Sequence, residues 1–437
     1  MKRTTGRRGL MTFPIIFLLV LFVTDVDSFS AQVPSSPGVV LTDPSRDISR
    51  SILEGLRSSS PSTLTAKLDL ETDFYDASTG LCSEGVWHNC LVGVASLELG
   101  QHDEACQISQ SLWKYSWDGT SFRRRSWSGN WDHSTLMDNS NDDDNSAPHQ
   151  ADYYRESAEH RCVQHGMALC FWSRLVRATD DESIRAQQRQ IADTFLKEFW
   201  NQDTDKWTTV SQSQGGGTIL RPSASANKRT LGATEDMVYY RVVDQAIAVL
   251  ACLEHMQVLQ ENQDENGFAR VRDIVQQTCR KGILEDFGYQ HLDAARTYMH
   301  LDRNRNFWHE GWTALALVQA REYVWPDEDD HGASRIEALW KGSLARYEHL
   351  TKGESDGTIW HWATADKEPS QNVRYCGDNA LAFCIHRKLG LSDQGGFWDF
   401  IETLRKDNEK GLSSVADVYP QVRLHPNTEL AALVLWP

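Results

Sequence analysis

Three acidic residues stand at the beginnings of apolar segments, where a carboxyl group could perform acid–base chemistry: Asp244, Glu310 and Asp378. Apolar neighbours follow Asp244 and Glu310 lies between two tryptophans, and an enclosed carboxyl group has a raised pKa, which favours the role of acid. Cleavage of a glycosidic bond requires one protonated and one ionised carboxyl group. We therefore predict Glu310 or Asp244 as the general acid and Asp378 as the base that activates water. The structural alternative is that each carboxylate pairs with an arginine, such as Arg241 or Arg374.

Histidines offer a second chemistry. His88, His165 and His309 also stand at the beginnings of apolar segments, and His361 lies in a predicted loop. An imidazole can move a proton at a sugar carbon next to a carbonyl group, as a sugar isomerase or 2-epimerase requires. The alternative for each histidine is a hydrogen-bonded position in the core. We expect these four histidines to contact the substrate under either chemistry.

Tryptophan is frequent in this chain, which contains 16 of them. An indole face stacks on the C–H face of a sugar ring, and a partly apolar cleft suits such a ligand. Trp312 follows His309 on the same predicted helix, whereas Trp131 and Trp360 lie in predicted loops. We predict that these three tryptophans bind substrate; the alternative is that they pin the loops to the core. A non-catalytic sugar-binding or scaffold protein is the third interpretation.

Motifs for metals and cofactors are absent from the sequence. No second histidine follows His309-Glu310 at the spacing of a zinc protease, and no Lys-Ser/Thr follows the Gly215–Gly217 run as in a phosphate loop. The Asp142–Asp144 run lacks the spacing of a calcium loop. The sequence therefore predicts no metal and no cofactor.

Helical periodicity predicts elements of two kinds along the chain. Amphipathic helices have one wet face, whereas apolar helices rich in small residues are enclosed. Alternation of six of each predicts an all-α (α/α)6 toroid of six helical hairpins. The amphipathic, outer helices are predicted at 64–75, 104–116, 183–199, 268–286, 334–350 and 395–405, and the apolar, inner helices at 86–98, 160–176, 238–256, 309–322, 376–388 and 427–436.

The inner helices share a pattern at their starts: polar residues, a small residue, then a large apolar one. We expect these polar residues to meet at one mouth of the ring, near the positive ends of the helix dipoles. The alternative is that they only cap the helices. The tetrads are His88-Asn89-Cys90-Leu91, Gln164-His165-Gly166-Met167, Asp244-Gln245-Ala246-Ile247, His309-Glu310-Gly311-Trp312, Asp378-Asn379-Ala380-Leu381 and, in degenerate form, Asn427-Thr428-Glu429-Leu430.

With these tetrads, the chain resembles the six-hairpin glycosidase-like superfamily, which includes unsaturated glucuronyl hydrolases and N-acylglucosamine 2-epimerases. The most typical stretches are Tyr240-Arg-Val-Val-Asp-Gln-Ala-Ile-Ala-Val-Leu250 and Phe307-Trp-His-Glu-Gly-Trp-Thr-Ala-Leu315. The resemblance covers residues 64–437 and implies an (α/α)6 barrel with a carbohydrate substrate. The epimerases carry Gly-His-x-x-Glu on an inner helix, but here Trp312 follows Gly311 and Leu315 occupies the acidic position. No catalytic residue is carried over.

The first 28 residues have the features of a signal peptide: basic residues, an apolar stretch at 10–23, and small residues before Phe29. Residues 29–63 are rich in Ser and punctuated by Pro, which predicts a presequence or linker before a barrel domain at 64–437. Entry into the secretory pathway follows. The final location is predicted to be secreted or lumenal, or a plastid, because Asp27-Ser-Phe-Ser-Ala31 resembles the bipartite plastid presequences of diatoms and related algae.

Charge and cysteine usage restrict the partners. The formal net charge of -17 repels phosphate backbones, so we expect no nucleic acid partner. After cleavage of the signal peptide we expect no membrane span. The nine cysteines form no dense framework, so one or two disulfides remain an open alternative. The sequence predicts neither the oligomeric state nor the substrate beyond a carbohydrate.

Overall fold

The computed structural model describes residues 43–58, 73–76, 80–83, 85–123, 159–214, 240–286, 304–351, 354–359, 362–364, 374–391, 395–406, 415–416 and 428–436. The chain divides into two units, 1–40 and 41–437, and every described residue belongs to the second. The predicted signal peptide at 1–28 therefore lies outside the described residues.

Six inner helices form a closed ring within the described part of the chain. Each contacts the next one along the chain, and the last contacts the first. They are α2 (Val86–Glu98), α4 (Cys162–Ala178), α6 (Val242–Glu261), α8 (Phe307–Val324), α10 (Cys376–Leu389) and α12 (Thr428–Leu433). Each inner helix that was predicted from the sequence overlaps one of these six.

A second layer of helices surrounds this ring. Each outer helix packs mainly against one inner helix: α1 packs against α12, and the other five pack against the inner helix that precedes them in the chain. The outer helices are α1 (Asp43–Ser58), α3 (His102–Tyr115), α5 (Glu182–Glu198), α7 (Glu265–Gln277, continued by a π-helical turn at Thr278–Asp286), α9 (Ala333–Leu344) and α11 (Gly395–Lys406). This architecture confirms the predicted (α/α)6 toroid.

The first outer helix corrects the predicted start of the barrel domain at residue 64. Helix α1 lies inside the segment 29–63 that the sequence suggested as a linker, whereas residues 73–76 of the helix predicted at 64–75 form a strand. The apolar face of α1, with Ile52 and Leu53, is buried, and Ser49 Oγ donates a hydrogen bond to the carbonyl oxygen of Ala431 on α12 at 2.7 Å. The Ser-rich composition concealed this apolar face, and the toroid begins no later than residue 43.

Small residues allow the inner helices to approach one another closely. A Cβ atom at any of three inner-helix glycines would collide with a side chain of the next inner helix around the ring. The pairs are Gly93 with Phe171, Gly166 with Ile247, and Gly311 with Leu381. Helix α6 is long and apolar enough to cross a bilayer by composition, but it is almost wholly buried within this ring and is therefore a core helix.

Short antiparallel pairs of strands accompany the helices. Three of the strands, β2, β5 and β9, end immediately before inner helices α2, α8 and α10, so they mark the end of the ring where inner helices begin. The pairs are β1 (Asp73–Asp76) with β2 (Leu81–Ser83), β3 (Trp200–Asn201) with β4 (Lys206–Trp207), β5 (Asn304–Asn306) with β8 (Trp362–Thr364), β6 (Glu348–Thr351) with β7 (Glu354–Ile359), and β9 (Arg374–Tyr375) with β10 (Val415–Ala416).

Candidate functional site

Glu429, at the start of α12, accepts hydrogen bonds from two tryptophans. Trp308 Nε1 donates to Oε1 at 2.9 Å, and Trp87 Nε1 donates to the same oxygen at 3.2 Å. Trp87 and Trp308 stand at the starts of α2 and α8, which are opposite one another in the ring, and their ring centroids are 5.6 Å apart. The starts of opposite inner helices therefore meet at the axis, as the sequence predicted.

The carboxyl group of Glu429 has a raised pKa. Burial is the largest cause, and the charge of nearby Asp378 adds to it; the indole hydrogen bonds and His88 act in the opposite direction but do not cancel it. Gly377 makes the space for this group, because a Cβ atom at that position would overlap Oε2 of Glu429. The site therefore holds a carboxyl group that is biased toward its protonated form.

An imidazole lies beside this carboxyl group. His88 Nδ1 is 3.1 Å from Thr428 Oγ1, and the ring is buried. His309 follows Trp308 at the start of α8, and the centroids of these two rings are 5.3 Å apart. We call Trp87, His88, Trp308, Asp378 and Glu429 the axial cluster. It brings together a carboxyl group of raised pKa, a second carboxyl group, an imidazole and two indoles.

Trp312 lies deeper in the ring than this cluster. Its side chain is fully buried, its ring centroid is 5.4 Å from that of Trp87, and its indole N–H has no hydrogen-bond partner within the described residues. Trp131, Trp360 and His361, which the sequence also predicted as substrate contacts, lie outside the described residues.

Asp244 corrects the first prediction of a general acid. It is fully buried and forms two hydrogen bonds with the guanidinium group of Arg241, at 2.8 and 2.9 Å. Thr209 Oγ1 donates a third at 2.6 Å. The arginine pairing that the sequence left as an alternative therefore applies here. A carboxylate bound in this way is not available to protonate a leaving group.

Glu310 corrects the second prediction of a general acid. Its carboxylate faces the outer layer and binds residues at the end of α9 and just beyond: Arg346 donates at 3.0 Å, Tyr347 Oη donates at 2.9 Å, and Ser343 Oγ donates as well. Glu310 is buried and its ion pair joins the outer layer to α8. This position is directed away from the axial cluster.

His165 is a core residue and not a substrate contact. Its ring is fully buried and stacks on Phe195 with 5.6 Å between centroids. Nε2 donates to the carbonyl oxygen of Ile191 at 3.0 Å, so Nδ1 accepts from Ser121 Oγ at 2.8 Å. Burial lowers its pKa to about 4. Both ring nitrogens are therefore occupied by the protein.

The second polar residue of the tetrads points outward in general. Asn379 binds the backbone of Ile359, and Gln245 binds the backbone N–H and carbonyl oxygen of Trp207 at 2.9 and 2.8 Å. The axial cluster contains the first polar residue of two tetrads, His88 and Asp378, together with Glu429 of the degenerate sixth tetrad. We expected both polar positions of a tetrad to converge on the axis. Adjacent residues of a helix face directions about 100° apart, so the two positions cannot both face it.

Three members of the axial cluster were not predicted as site residues: Trp87, Trp308 and Glu429. The sequence carried a signal for two of them, since the dipeptide Trp-His occurs at 87–88 and again at 308–309, at the starts of opposite helices. Glu429 was part of the degenerate sixth tetrad. Within the described residues, no group of three or more His, Cys, Asp and Glu is placed to hold a metal ion. Eight cysteines, those whose side chains the structure describes, are free thiols.

This architecture is an (α/α)6 toroid, and solved structures of low sequence identity share the fold. A D-mannose isomerase is similar in structure, with a TM-score of 0.58, 10% sequence identity, and coverage of 92% of this chain and 99% of that chain. The cellobiose 2-epimerase from Spirochaeta thermophila has a TM-score of 0.57 at 13% identity, covering 91% and 98%. The GH76 alpha-mannanase from Bacteroides thetaiotaomicron has a TM-score of 0.50 at 11% identity, covering 90% and 94%. No protein-family model and no curated protein matches the chain.

Proposed function

We propose that this protein is a carbohydrate-active enzyme that isomerises or epimerises a sugar at the axial cluster. One observation carries the proposal: a carboxyl group with a raised pKa, Glu429, lies between two indole N–H donors and beside the imidazole of His88. A second imidazole, His309, stands at the start of the opposite helix α8. A carboxyl group of raised pKa and imidazole groups thus meet where indole faces can receive a sugar ring.

The reaction needs a base and an acid. A base removes the proton from the carbon next to the carbonyl group, the C–H electron pair forms a carbon–carbon double bond, and the carbonyl oxygen gains a proton from the acid to give an enediol. Delivery of a proton to the former carbonyl carbon, with loss of the proton of the neighbouring hydroxyl group, gives the isomer. Return of a proton to the original carbon from the opposite face, with return of the enediol proton to the group that supplied it, gives the epimer. In the proposal His88 or His309 is the base, because an imidazole titrates near neutral pH, and Glu429 is the acid.

Two further points support this choice over the hydrolysis that the sequence favoured. The two predicted general acids, Asp244 and Glu310, are held by Arg241 and Arg346. Two of the similar structures are, by name, a mannose isomerase and a cellobiose 2-epimerase. These likenesses establish the fold, and they make an aldose the first substrate class to test.

Hydrolysis of a glycosidic bond is the second candidate. Asp378 raises the pKa of Glu429 by charge repulsion, and a pair of carboxyl groups with different protonation states is what acid-and-base cleavage requires. In this candidate Glu429 protonates the leaving oxygen and Asp378 activates water. The structural similarity to a mannanase supports hydrolysis, just as the similarity to an isomerase and an epimerase supports isomerisation.

Proton exchange with solvent separates the candidates. The protein is incubated in heavy water with D-mannose, with cellobiose and with mannan oligosaccharides, and proton NMR follows both the C2–H signal and new reducing ends. We expect loss of the C2–H signal, and a decrease of about 100-fold in its rate in His88→Gln and in Glu429→Gln. His102→Gln and Glu265→Gln, at exposed positions on outer helices, are the matched controls.

New reducing ends without exchange would support hydrolysis and contradict isomerisation. If both reactions are absent while the sugars still bind, the axial cluster belongs to a non-catalytic sugar-binding protein. Equal rates in the Glu429→Gln variant and the wild type would remove Glu429 from either mechanism.

A further inference from the structure

His160 lies at the same end of the ring as the axial cluster but is not part of it. It precedes Arg161, the N-cap of α4. Its imidazole is 5% exposed, and Nε2 is 2.7 Å from Asp118 Oδ2. The other ring nitrogen, Nδ1, is buried and has no hydrogen-bond partner within the described residues. A buried polar atom in this state calls for a physical explanation.

The partner of His160 is a fixed carboxylate. Asp118 Oδ1 accepts from Thr120 N at 3.0 Å, from Thr120 Oγ1 at 2.7 Å and from Ser121 N at 3.0 Å, and Arg123 Nε is 3.7 Å from Oδ2. Burial alone would raise the pKa of Asp118, but these hydrogen bonds hold it well below its usual range. The carboxylate therefore accepts from Nε2–H of His160, and in the neutral form of the ring this places the lone pair on Nδ1.

The backbone of His160 is held on both sides. Its N–H donates to Gln214 Oε1 at 2.8 Å, and its carbonyl oxygen accepts from Ser211 N at 3.1 Å. The nearest other titratable ring is His165, whose two nitrogens are both bonded. The backbone N–H, the backbone carbonyl oxygen and Nε2 of His160 are thus all hydrogen-bonded, and Nδ1 has no partner within the described residues.

A second buried acceptor lies on helix α4, four residues after His160. Gln164, the first polar residue of the second tetrad, is 8% exposed, and its Oε1 has no hydrogen-bond partner within the described residues. Its counterparts in other tetrads, His88 and Asp378, belong to the axial cluster. Buried acceptors without a partner cost free energy until a donor reaches them.

We propose that His160 Nδ1 and Gln164 Oε1 form a subsite that accepts hydrogen bonds from hydroxyl groups of the sugar. The inference rests on the proposed function and adds to it, because it assigns the recognition of hydroxyl groups to the start of α4. The subsite requires neutral polyol donors, since an anionic group would meet two lone pairs. His160 and Gln164 set specificity here, and Asp118 is a positioning residue that selects the tautomer of His160.

Long-range proton–nitrogen NMR of histidine-labelled protein tests the subsite. The probes are D-mannose and cellobiose, and His160→Gln identifies the resonances of His160. We expect Nδ1 to appear as an unprotonated nitrogen and to shift on addition of sugar, whereas the nitrogens of exposed His102 stay unchanged. Gln164→Met, which keeps the shape but removes the acceptor, should weaken binding about 10-fold.

Asp118→Asn provides a sharper variant. Three donors occupy Oδ1, so the new amide must direct its NH2 group at Nε2 of His160. The proton then moves to Nδ1 and the acceptor is lost, although the loop keeps its bonds. We expect an exchanged tautomer and the same 10-fold loss of affinity. A merely structural His160 would change stability without changing affinity.

An Nδ1 resonance that does not respond to either sugar overturns the subsite, as does wild-type affinity in both Gln164→Met and Asp118→Asn. This outcome is distinct from failure of the proposed function. Sugar-dependent shifts of Nδ1 in a protein that exchanges no deuterium would contradict the isomerase and leave the subsite supported.

Discussion

Two buried imidazoles should make the stability of the fold depend on pH. Burial lowers the pKa of His165 and of His255 to about 4, against about 6.5 in an unfolded chain. Between these values the unfolded chain binds more protons, so stability is present above pH 6.5 and is lost as the pH falls toward 4. Each residue accounts for up to about 3 kcal/mol over that window. Urea unfolding at steps between pH 7 and pH 4.5 measures the slope.

The matched test of this slope is His255→Gln, since Gln can still accept the hydrogen bond that Gln188 donates at 3.0 Å. The variant should lose about half of the pH dependence, whereas the exposed His102→Gln should lose none. Carboxylates with a lowered pKa, such as Asp118, change the free energy of unfolding only at lower pH and so do not contribute to this slope. A slope that is the same in all three proteins would contradict the assignment.

The substitution Gly377→Ala, which adds one methyl group, tests the position of Glu429. In Gly377→Ala the new Cβ overlaps Oε2 of Glu429, so the carboxyl group must leave its place between Trp87 and Trp308. We expect turnover to fall by about 10-fold or more, because catalysis depends on positions held to a fraction of an ångström. The control is Gly282→Ala, where the nearest atoms lie at 3.9 and 4.0 Å. Turnover and thermal midpoint are measured for both, and unchanged turnover in Gly377→Ala would refute the placement.

At the scale of elements, the Glu310–Arg346 ion pair should stabilise the contact between α8 and the end of α9. Removal of one partner from a buried pair leaves the other charge without compensation, so Glu310→Gln or Arg346→Met should cost about 3–5 kcal/mol. Turnover per folded molecule should stay at the wild-type value, because Glu310 points away from the axis. Chemical unfolding and active-site titration measure the two quantities separately.

The double variant Glu310→Leu with Arg346→Met should recover much of the lost stability, since no charge then remains buried. If Glu310→Gln instead keeps its thermal midpoint and loses turnover, the role that the sequence suggested for Glu310 is correct and the present assignment is wrong.

The positions of the elements could be predicted from the sequence because period and composition are local properties. The inner helix predicted at 86–98 has the observed bounds, whereas helix α1 at Asp43–Ser58 was missed because Ser and Pro obscured its apolar face. The direction of each side chain was not predictable. His165 and Gln164 are adjacent in the chain. His165 binds Ile191 of the outer layer, whereas Gln164 Oε1 has no partner within the described residues. This difference depends on how α4 is rotated in the ring.

At the scale of the whole molecule, the two ends of the ring differ in chemistry. The starts of the inner helices hold the axial cluster, whereas their ends hold a buried ion pair of Arg174 with Glu254 at 2.6 Å. The Arg174 guanidinium also lies 4.2 Å from the ring centroid of Trp436. The charge of Arg174 at this end is thus paired with Glu254, and its guanidinium group stacks on Trp436.

Helix α1 completes the outer layer against α12, so the residue at which the chain begins should decide whether α12 is stable. Helix α12 spans six residues and carries Glu429, and α1 covers its outer side. A chain that begins at residue 41 should unfold cooperatively at the same midpoint as one that begins at 29. A chain that begins at 64 should aggregate or lose cooperativity, because α12 is too short to hold its place without α1. Addition of a peptide of residues 41–63 should restore binding of sugar, whereas the peptide with Ile52→Asp and Leu53→Asp should not, since both side chains are buried against the ring. A stable, active chain from residue 64 would show that α1 is dispensable and that the predicted domain boundary was right.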